Sequence, residues 1–170
     1  KLLRLQVTDY RYVDEIAKGR ALRKGVIAQE VEAVEPAAIV KSTGFIPNVY
    51  APAAKIREAG RQLVFSMTAP HGLQKGDRVR IFEGSVRNDL TIEAATDTEF
   101  TVVMWGRAAP AGAFVFGKEV PDFKEVNYDH LFTLNVAATQ ELARRIEALG
   151  SALATAQAEY RTLQVQNAAL

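Results

Sequence analysis

The chain contains no cysteine, which excludes disulfide bonds, thiolate metal sites and a cysteine nucleophile. Only two histidines occur in its 170 residues, His71 and His130, and neither has metal-ligand partners at the usual spacing. Twenty-one basic and 20 acidic residues give a net charge of +1, so no bulk field attracts nucleic acid or an anionic membrane. We therefore predict no cofactor, no metal and no nucleic-acid partner.

Long apolar runs and reactive serine motifs are also missing. No apolar run approaches the roughly 20 residues that span a bilayer, so we do not expect membrane insertion. The segment KLLRLQVTDY lacks the apolar core and cleavage site of a signal peptide, and we expect no targeting signal within the chain. No serine lies in a G-x-S-x-G context, so the residues themselves indicate no active site.

The most distinctive segment is GVIAQEVEAVEP, residues 25–36. Its larger apolar residues are four and three positions apart and its polar residues lie opposite them, which predicts a short amphipathic helix. The proline at its end should stop this helix near Val34. The flanking segments LLRLQVTDYRYVDE and AAIVKS predict strands, separated from the helix on one side by a basic loop. We assign to this core motif Ile27, Gln29, Glu30, Val31, Val34, Pro36 and Tyr128.

A different pattern begins near Gly60 and ends at Pro121. Five short β-like segments, RQLVFSM, DRVRIF, DLTIEAA, EFTVVMW and FVFGKEV, alternate with turn sequences rich in glycine, aspartate and proline. Their number and length predict a small antiparallel barrel or sandwich rather than a parallel Rossmann sheet.

From Tyr128 to Leu170 the chain has no proline and a single glycine, Gly150, which predicts one long helix. Within it, one row of residues alternates spacings of four and three over roughly four heptads, the pattern of a coiled coil. At about 1.5 Å per residue this row extends about 44 Å, too far for the small body of the chain to cover. It should therefore pair with other helices; the alternative is an amphipathic helix lying on its own domain. We call this row the seam, and it consists of Leu142, Ile146, Leu149, Leu153, Ala156, Tyr160, Leu163, Asn167 and Leu170.

Three segments together resemble the C-terminal intramolecular chaperone family of phage tailspikes, endosialidases and bacterial tail-fibre-like proteins, to which the chaperone domain of myelin regulatory factor is related. They are LLRLQVTDYRYVDE, KGVIAQEVEAVEPAAIV and VNYDHLFTLNVAATQELARRIEAL, and the resemblance covers about residues 1–47 and 122–160. It implies a trimer at the end of a fibre, whose helices hold neighbouring subunits so that the preceding β-structure starts in register. Isoleucine and leucine in alternate seam positions favour two strands, but Leu153, Tyr160 and Asn167 dilute that preference, and we follow the resemblance in predicting three.

Many members of that family cut themselves with a serine–lysine dyad in a motif similar to S-D-x-R-x-K-x-x-I. That motif is missing here, because Lys1 directly precedes LLRLQV, which resembles the part of the family pattern that follows the dyad. Either the dyad lies upstream of residue 1 or this homologue does not cleave. We expect the 170 residues themselves to be catalytically inert.

The β-rich insert is weakly similar to a small β-barrel of ubiquitin-activating enzymes and of some phage proteins, a likeness that implies shape only. On a trimer at a fibre end, the insert would either bind a cell-surface glycan or protein receptor, or act as a spacer that enlarges the trimer interface.

These patterns predict an α+β fold: a small chaperone core, a five-stranded antiparallel barrel-like insert and a long C-terminal coiled-coil helix, assembled as a homotrimer. The predicted domains are residues 1–56 and 122–135 for the core, 57–121 for the insert and 136–170 for the coiled coil. The predicted function is C-terminal trimerisation and intramolecular chaperoning, which aligns and templates an upstream fibre segment of the same polypeptide. The alternative is a retained fibre-tip adhesin. The expected location is a phage particle or an extracellular bacterial fibre.

Overall fold

The computed structural model describes residues 2–105 and 108–168, which form three α-helices, two 3₁₀ turns and ten strands. The helices are α1 Glu15–Lys18, α2 Ala28–Val34 and α3 Tyr128–Ala168, and the 3₁₀ turns are Leu2–Arg4 and Pro36–Ala38. The strands are β1 Thr8–Tyr10, β2 Arg23–Gly25, β3 Ile39–Phe45, β4 Ala51–Pro52, β5 Lys55–Ala59, β6 Gln62–Ser66, β7 Arg78–Glu83, β8 Val86–Ala95, β9 Glu99–Val103 and β10 Phe114–Val126.

Most elements lie where the sequence predicts them. The short helix α2 ends at Val34, as the following proline requires, and the long helix α3 begins at Tyr128. The five predicted strands of the insert are β6–β10, and the last four residues of AAIVKS form the start of β3. The N-terminal strand is shorter than expected because a 3₁₀ turn occupies Leu2–Arg4. The basic segment predicted as a loop contains β2, which pairs with β1 in antiparallel register.

The antiparallel sheets confirm a mixed α and β chain, but the insert predicted as barrel-like does not form a closed barrel. The larger sheet has the order β3-β10-β7-β8-β9-β6-β5, with β4 also beside β10. Closure of the five insert strands would need β10 to pair with β6, but β6 already lies between β5 and β9. One edge of β10 pairs with β7 and the other with β4 and β3, so both edges are occupied. The sheet therefore stays open among the described strands, and β10 runs through the predicted boundary between residues 121 and 122.

The hydrophobic core lies within the insert and is built by alternating residues of its strands. Phe65 of β6 and Phe100 of β9 stack with ring centroids 5.0 Å apart, and both are fully buried. Around them lie the inward side chains of β6–β10, which alternate with outward ones as expected for half-buried strands. The buried members around the two rings are Leu63, Met67, Leu73, Val79, Ile81, Ile92, Val102, Ala113 and Val115.

Arg80 of β7 connects the insert to the core strand β3. Its guanidinium carbon lies 3.8 Å from the ring centroid of Phe45, and its Nε and Nη2 donate to the two carboxylate oxygens of Asp89 at 2.8 and 2.9 Å. This bidentate hydrogen bond is the main reason that the pKa of Asp89 lies below its ordinary value. Because the pair is only about one-fifth exposed, it fixes the planar guanidinium over the aromatic ring.

The pairing of β10 with β7 is irregular at Gly117, near the middle of β10. The residue has φ 154°, and the pairing with β7 shifts between Val115 and Gly117. The chain from Ile46 to Tyr50 lies against this point, because the Ile46 amide donates to the Lys118 carbonyl and the Tyr50 amide to the Phe116 carbonyl, both at 2.9 Å. The backbone of residues 46–50 thus packs against β10 at Gly117.

Helix α2 is attached to the sheet by one buried residue and one charged network. Val31 is fully buried, while Glu32 forms ion pairs with Lys41 of β3 and Lys124 of β10, the latter at 2.7 Å. The hydrogen bond from Lys124, followed by that from Lys41, holds the pKa of Glu32 below its usual value. The network therefore connects α2 to two neighbouring strands of the sheet.

The lowered pKa of Glu32 predicts a loss of thermal stability in acid. A carboxyl group whose pKa is depressed by folding stabilises the fold above its unfolded pKa, and that stability is lost as pH falls through the folded pKa. We expect Glu32→Gln to lower Tm near neutral pH and to flatten the dependence of Tm on pH below the ordinary value of 4.5. Glu30→Gln, on the exposed side of the same helix, is the matched control. An unchanged pH dependence of Tm in Glu32→Gln would contradict the role of this network.

Candidate functional site

The long helix α3 is anchored to the body only at its first turns. Asn127 caps it, since its side-chain oxygen accepts from the His130 amide at 3.1 Å and its own amide donates to the Ala38 carbonyl at 2.8 Å. The His130 Nε2 lies 3.4 Å from a carboxylate oxygen of Glu35, which is buried at the end of α2. These contacts place the start of α3 directly on the core motif.

Beyond these turns, α3 leaves the body, and the seam lies in the open. Every described residue from 135 to 167 is exposed. The six large apolar seam residues keep between 57% and 69% of their surface accessible. They are Leu142, Ile146, Leu149, Leu153, Tyr160 and Leu163. Ala156 and Asn167 are exposed in the same row, and Leu170 lies outside the described residues.

An exposed row of this length is unusual for an isolated soluble chain. Contiguous apolar surface of this kind marks a surface that binds another protein or a further copy of the same one. Three charged residues of this stretch pair within the helix: Arg145 and Arg144 donate to Glu141 at 2.9 and 3.0 Å, and these hydrogen bonds lower the pKa of Glu141. The described seam residues form no candidate catalytic site, so the seam is suited to association with another helix.

The core motif is divided between buried and exposed positions. Val31 is fully buried, Ile27 and Val34 are half-buried, and Gln29 and Glu30 are exposed on the opposite side of α2. In addition, Pro36 opens the 3₁₀ turn after α2, and Tyr128 is the first residue of α3. The motif thus joins α2 to the beginning of α3.

The glycine that opens the motif is buried against tyrosine side chains. A Cβ placed on Gly25 would lie 2.8 Å from the Cε1 of Tyr10 and 2.9 Å from the hydroxyl of Tyr128. The Tyr128 hydroxyl also accepts from the Val26 amide at 3.5 Å, and the ring of Tyr10 meets that of Tyr12 edge-on, with centroids 5.2 Å apart. The hydrogen bond between the hydroxyls of Tyr10 and Tyr12 raises the pKa of Tyr10. A side chain at position 25 would therefore require the rings of Tyr10 and Tyr128 to shift.

An aromatic groove beside α1 was not predicted. It has a volume of about 400 Å³ and is lined by Tyr50, Phe82, Phe114 and Phe116 together with Asp14. The Tyr50 hydroxyl donates to Asp14 at 3.0 Å, and the backbone of Tyr50 has a positive φ of 44°, which is uncommon outside glycine. The sequence offers only weak signals for this groove, because its residues come from four separate segments.

Other kinds of site are not found in the described part of the chain. Residues 2–105 and 108–168 contain no cluster of three or more potential metal ligands. Over the same residues, no helix has both the length and the apolar character needed to cross a bilayer.

Comparison with known proteins bears on the first part of the chain. No curated protein and no solved structure matches the chain. The family model described as "Chaperone of endosialidase" matches residues 1–40, which include β1, β2 and the whole of α2. This match supports assignment of the N-terminal segment, with its GVIAQEVE motif, to the chaperone domain family of endosialidases.

Proposed function

We propose that this chain is a C-terminal trimerisation and intramolecular chaperone domain, which aligns three copies and templates the folding of a fibre or tail-fibre-like segment preceding it in the same polypeptide. The observation that carries the proposal is the seam, whose described residues from Leu142 to Asn167 are all exposed at coiled-coil spacing, on a helix anchored to a body whose residues 1–40 match the chaperone family model. The proposed setting is a phage particle or an extracellular bacterial fibre.

The physical reason for such a domain lies in the cost of pairing strands between chains. Long-range β-pairing loses chain entropy before contacts repay it, and unpaired strand edges meanwhile accept wrong partners. A coiled coil next to the fibre raises the effective concentration of the three chains and fixes their relative position first. The pairing that follows is then close to an intramolecular reaction.

The direct test is the mass of the chain in solution. Light scattering of the intact chain should give three times the monomer mass of 18.6 kDa. A fibre segment fused upstream should form trimers in higher yield with the chain attached than without it. A monomer at concentrations well above micromolar, or fusion yields that do not depend on the chain, would contradict the proposal.

The aromatic groove supports a second candidate, a retained adhesive tip. Aromatic side chains beside a carboxylate form the kind of concave site that binds small ligands, and glycans are the ligand class we propose for it. A glycan array probed with the intact chain and with Phe116→Ala separates the candidates. Binding that this exchange abolishes favours the adhesin, and absence of groove-dependent binding leaves the chaperone function alone.

A further inference from the structure

The base of α3 carries the seam spacing towards the body. Counting back in sevens from Ile146 reaches Thr139 and then Phe132, and counting back from Leu142 reaches Asn135. The row therefore continues below Leu142 as an Asn135 and Thr139 pair followed by an aromatic residue. An amide and a hydroxyl thus interrupt the row near the body, while its other polar members, Tyr160 and Asn167, lie in its far half.

The chain's own body does not cover this part of the row. In the first two turns of α3 the half-buried residues are His130, Leu131 and Leu134, of which His130 contacts Glu35 of the body. By contrast, Phe132 is 68% exposed, and Asn135 and Thr139 are exposed as well. The side of α3 that carries the row is therefore open to a neighbouring copy.

The positions flanking the seam carry little information about register. In coiled coils, opposite charges at these positions usually determine which helices pair and in which orientation. Here the flanking residues from 143 to 166 are alanine, glycine and glutamine, apart from Arg145 and Glu159. Arg145 already pairs with Glu141 within its own helix. Register must therefore be determined mainly by the seam residues themselves.

We propose that Asn135 and Thr139 form a polar layer between the α3 helices of neighbouring copies, which fixes their register and parallel orientation. This inference rests on the proposed trimer. The Thr139 hydroxyl already donates to the Asn135 carbonyl of its own helix at 2.8 Å, so its oxygen can accept from an Asn135 amide of a neighbour. A shift of one heptad towards the C-terminus would bring Asn135 against Leu142 and Thr139 against Ile146, leaving the amide without partners in an apolar layer. A shift the other way would bring Asn135 against Tyr128 and Thr139 against Phe132, which separates the amide from the hydroxyl.

Single cysteines test this layer cleanly, because the chain has none of its own. Chains carrying Ala156→Cys and chains carrying Leu163→Cys are mixed, unfolded, refolded together and oxidised, and the disulfides are identified by mass spectrometry. In register, cysteines at the same position pair, whereas positions 156 and 163 lie one heptad apart, about 10 Å, too far for a disulfide. In an Asn135→Leu/Thr139→Val background we expect assembly to persist and the yield of 156–163 disulfides to rise on the order of fivefold. Ala158→Cys, on the opposite side of the helix, measures random collisions.

Each outcome distinguishes the inference from the proposed function. An unchanged yield of 156–163 disulfides in the double variant overturns the polar layer, because register is then determined by the bodies. Loss of assembly in the double variant also overturns it, because apolar residues at these two positions should strengthen a coiled coil. A monomeric wild-type chain in light scattering overturns the proposed trimer itself.

Discussion

Leu149→Asp should convert the assembled chain into monomers. Leu149 lies in the middle of the seam and is 69% exposed in the single chain. In a coiled coil it would face the same residue of the neighbouring helices, so the exchange places unpaired carboxylates together in an apolar layer. The desolvation cost of such ions is several kcal/mol each, and we expect association to weaken by at least about a thousandfold, ~4 kcal/mol. Light scattering over a range of protein concentrations measures the change.

The control for this exchange introduces the same charge without burial. Ala158→Asp lies on the opposite side of α3, so the assembled mass should stay as in the wild type. Circular dichroism should report the same folded body in both variants, because the seam contributes nothing to the insert core. If Leu149→Asp keeps the mass of the wild type, the seam is not the association surface.

Gly117→Ala should be the most destabilising small exchange in the body. The added Cβ would lie 2.1 Å from the Ile46 carbonyl oxygen, and backbone cannot withdraw as a flexible side chain does. The φ of 154° adds strain that only glycine avoids without cost. We expect a loss of about 3–5 kcal/mol in the free energy of unfolding, measured by urea denaturation.

Gly112→Ala is the matched comparison, since a Cβ at Gly112 meets nothing within 4 Å. It should change the free energy of unfolding by less than about 1 kcal/mol. Equal stability of the two variants would show that the Ile46 segment can move away from β10, and would contradict the packing described for Gly117.

Helices α2 and α3 were predictable because their signals are local, whereas the four-residue helix α1 was not predicted. Four-and-three spacing identifies both α2 and α3, and Pro36 is sufficient to end α2. The strands of the insert were predictable for a similar reason, since alternation and turn residues lie within each segment. Even the continuation of the seam to Phe132 can be read from the sequence by counting heptads.

The arrangement of these elements was not predictable to the same degree. No local feature of FVFGKEVPDFKEV indicates that this segment, β10, has partner strands on both edges. This pairing is what keeps the sheet open. The ion pair of Glu32 with Lys124 joins residues of α2 and β10 that are far apart in sequence. The aromatic groove likewise depends on tertiary contacts between segments, which spacing along one segment cannot reveal.

The insert core and the seam share no residue, and this separation determines the order of events after synthesis. Closing the buried cluster around Phe65 and Phe100 needs only one chain, so its rate is independent of concentration. In the proposed trimer the seams meet by collision between chains, so the rate of that step rises with chain concentration. The body of each chain can therefore fold before the chains associate. Chains translated from the same messenger RNA, or attached to the same particle, should associate faster than chains made apart.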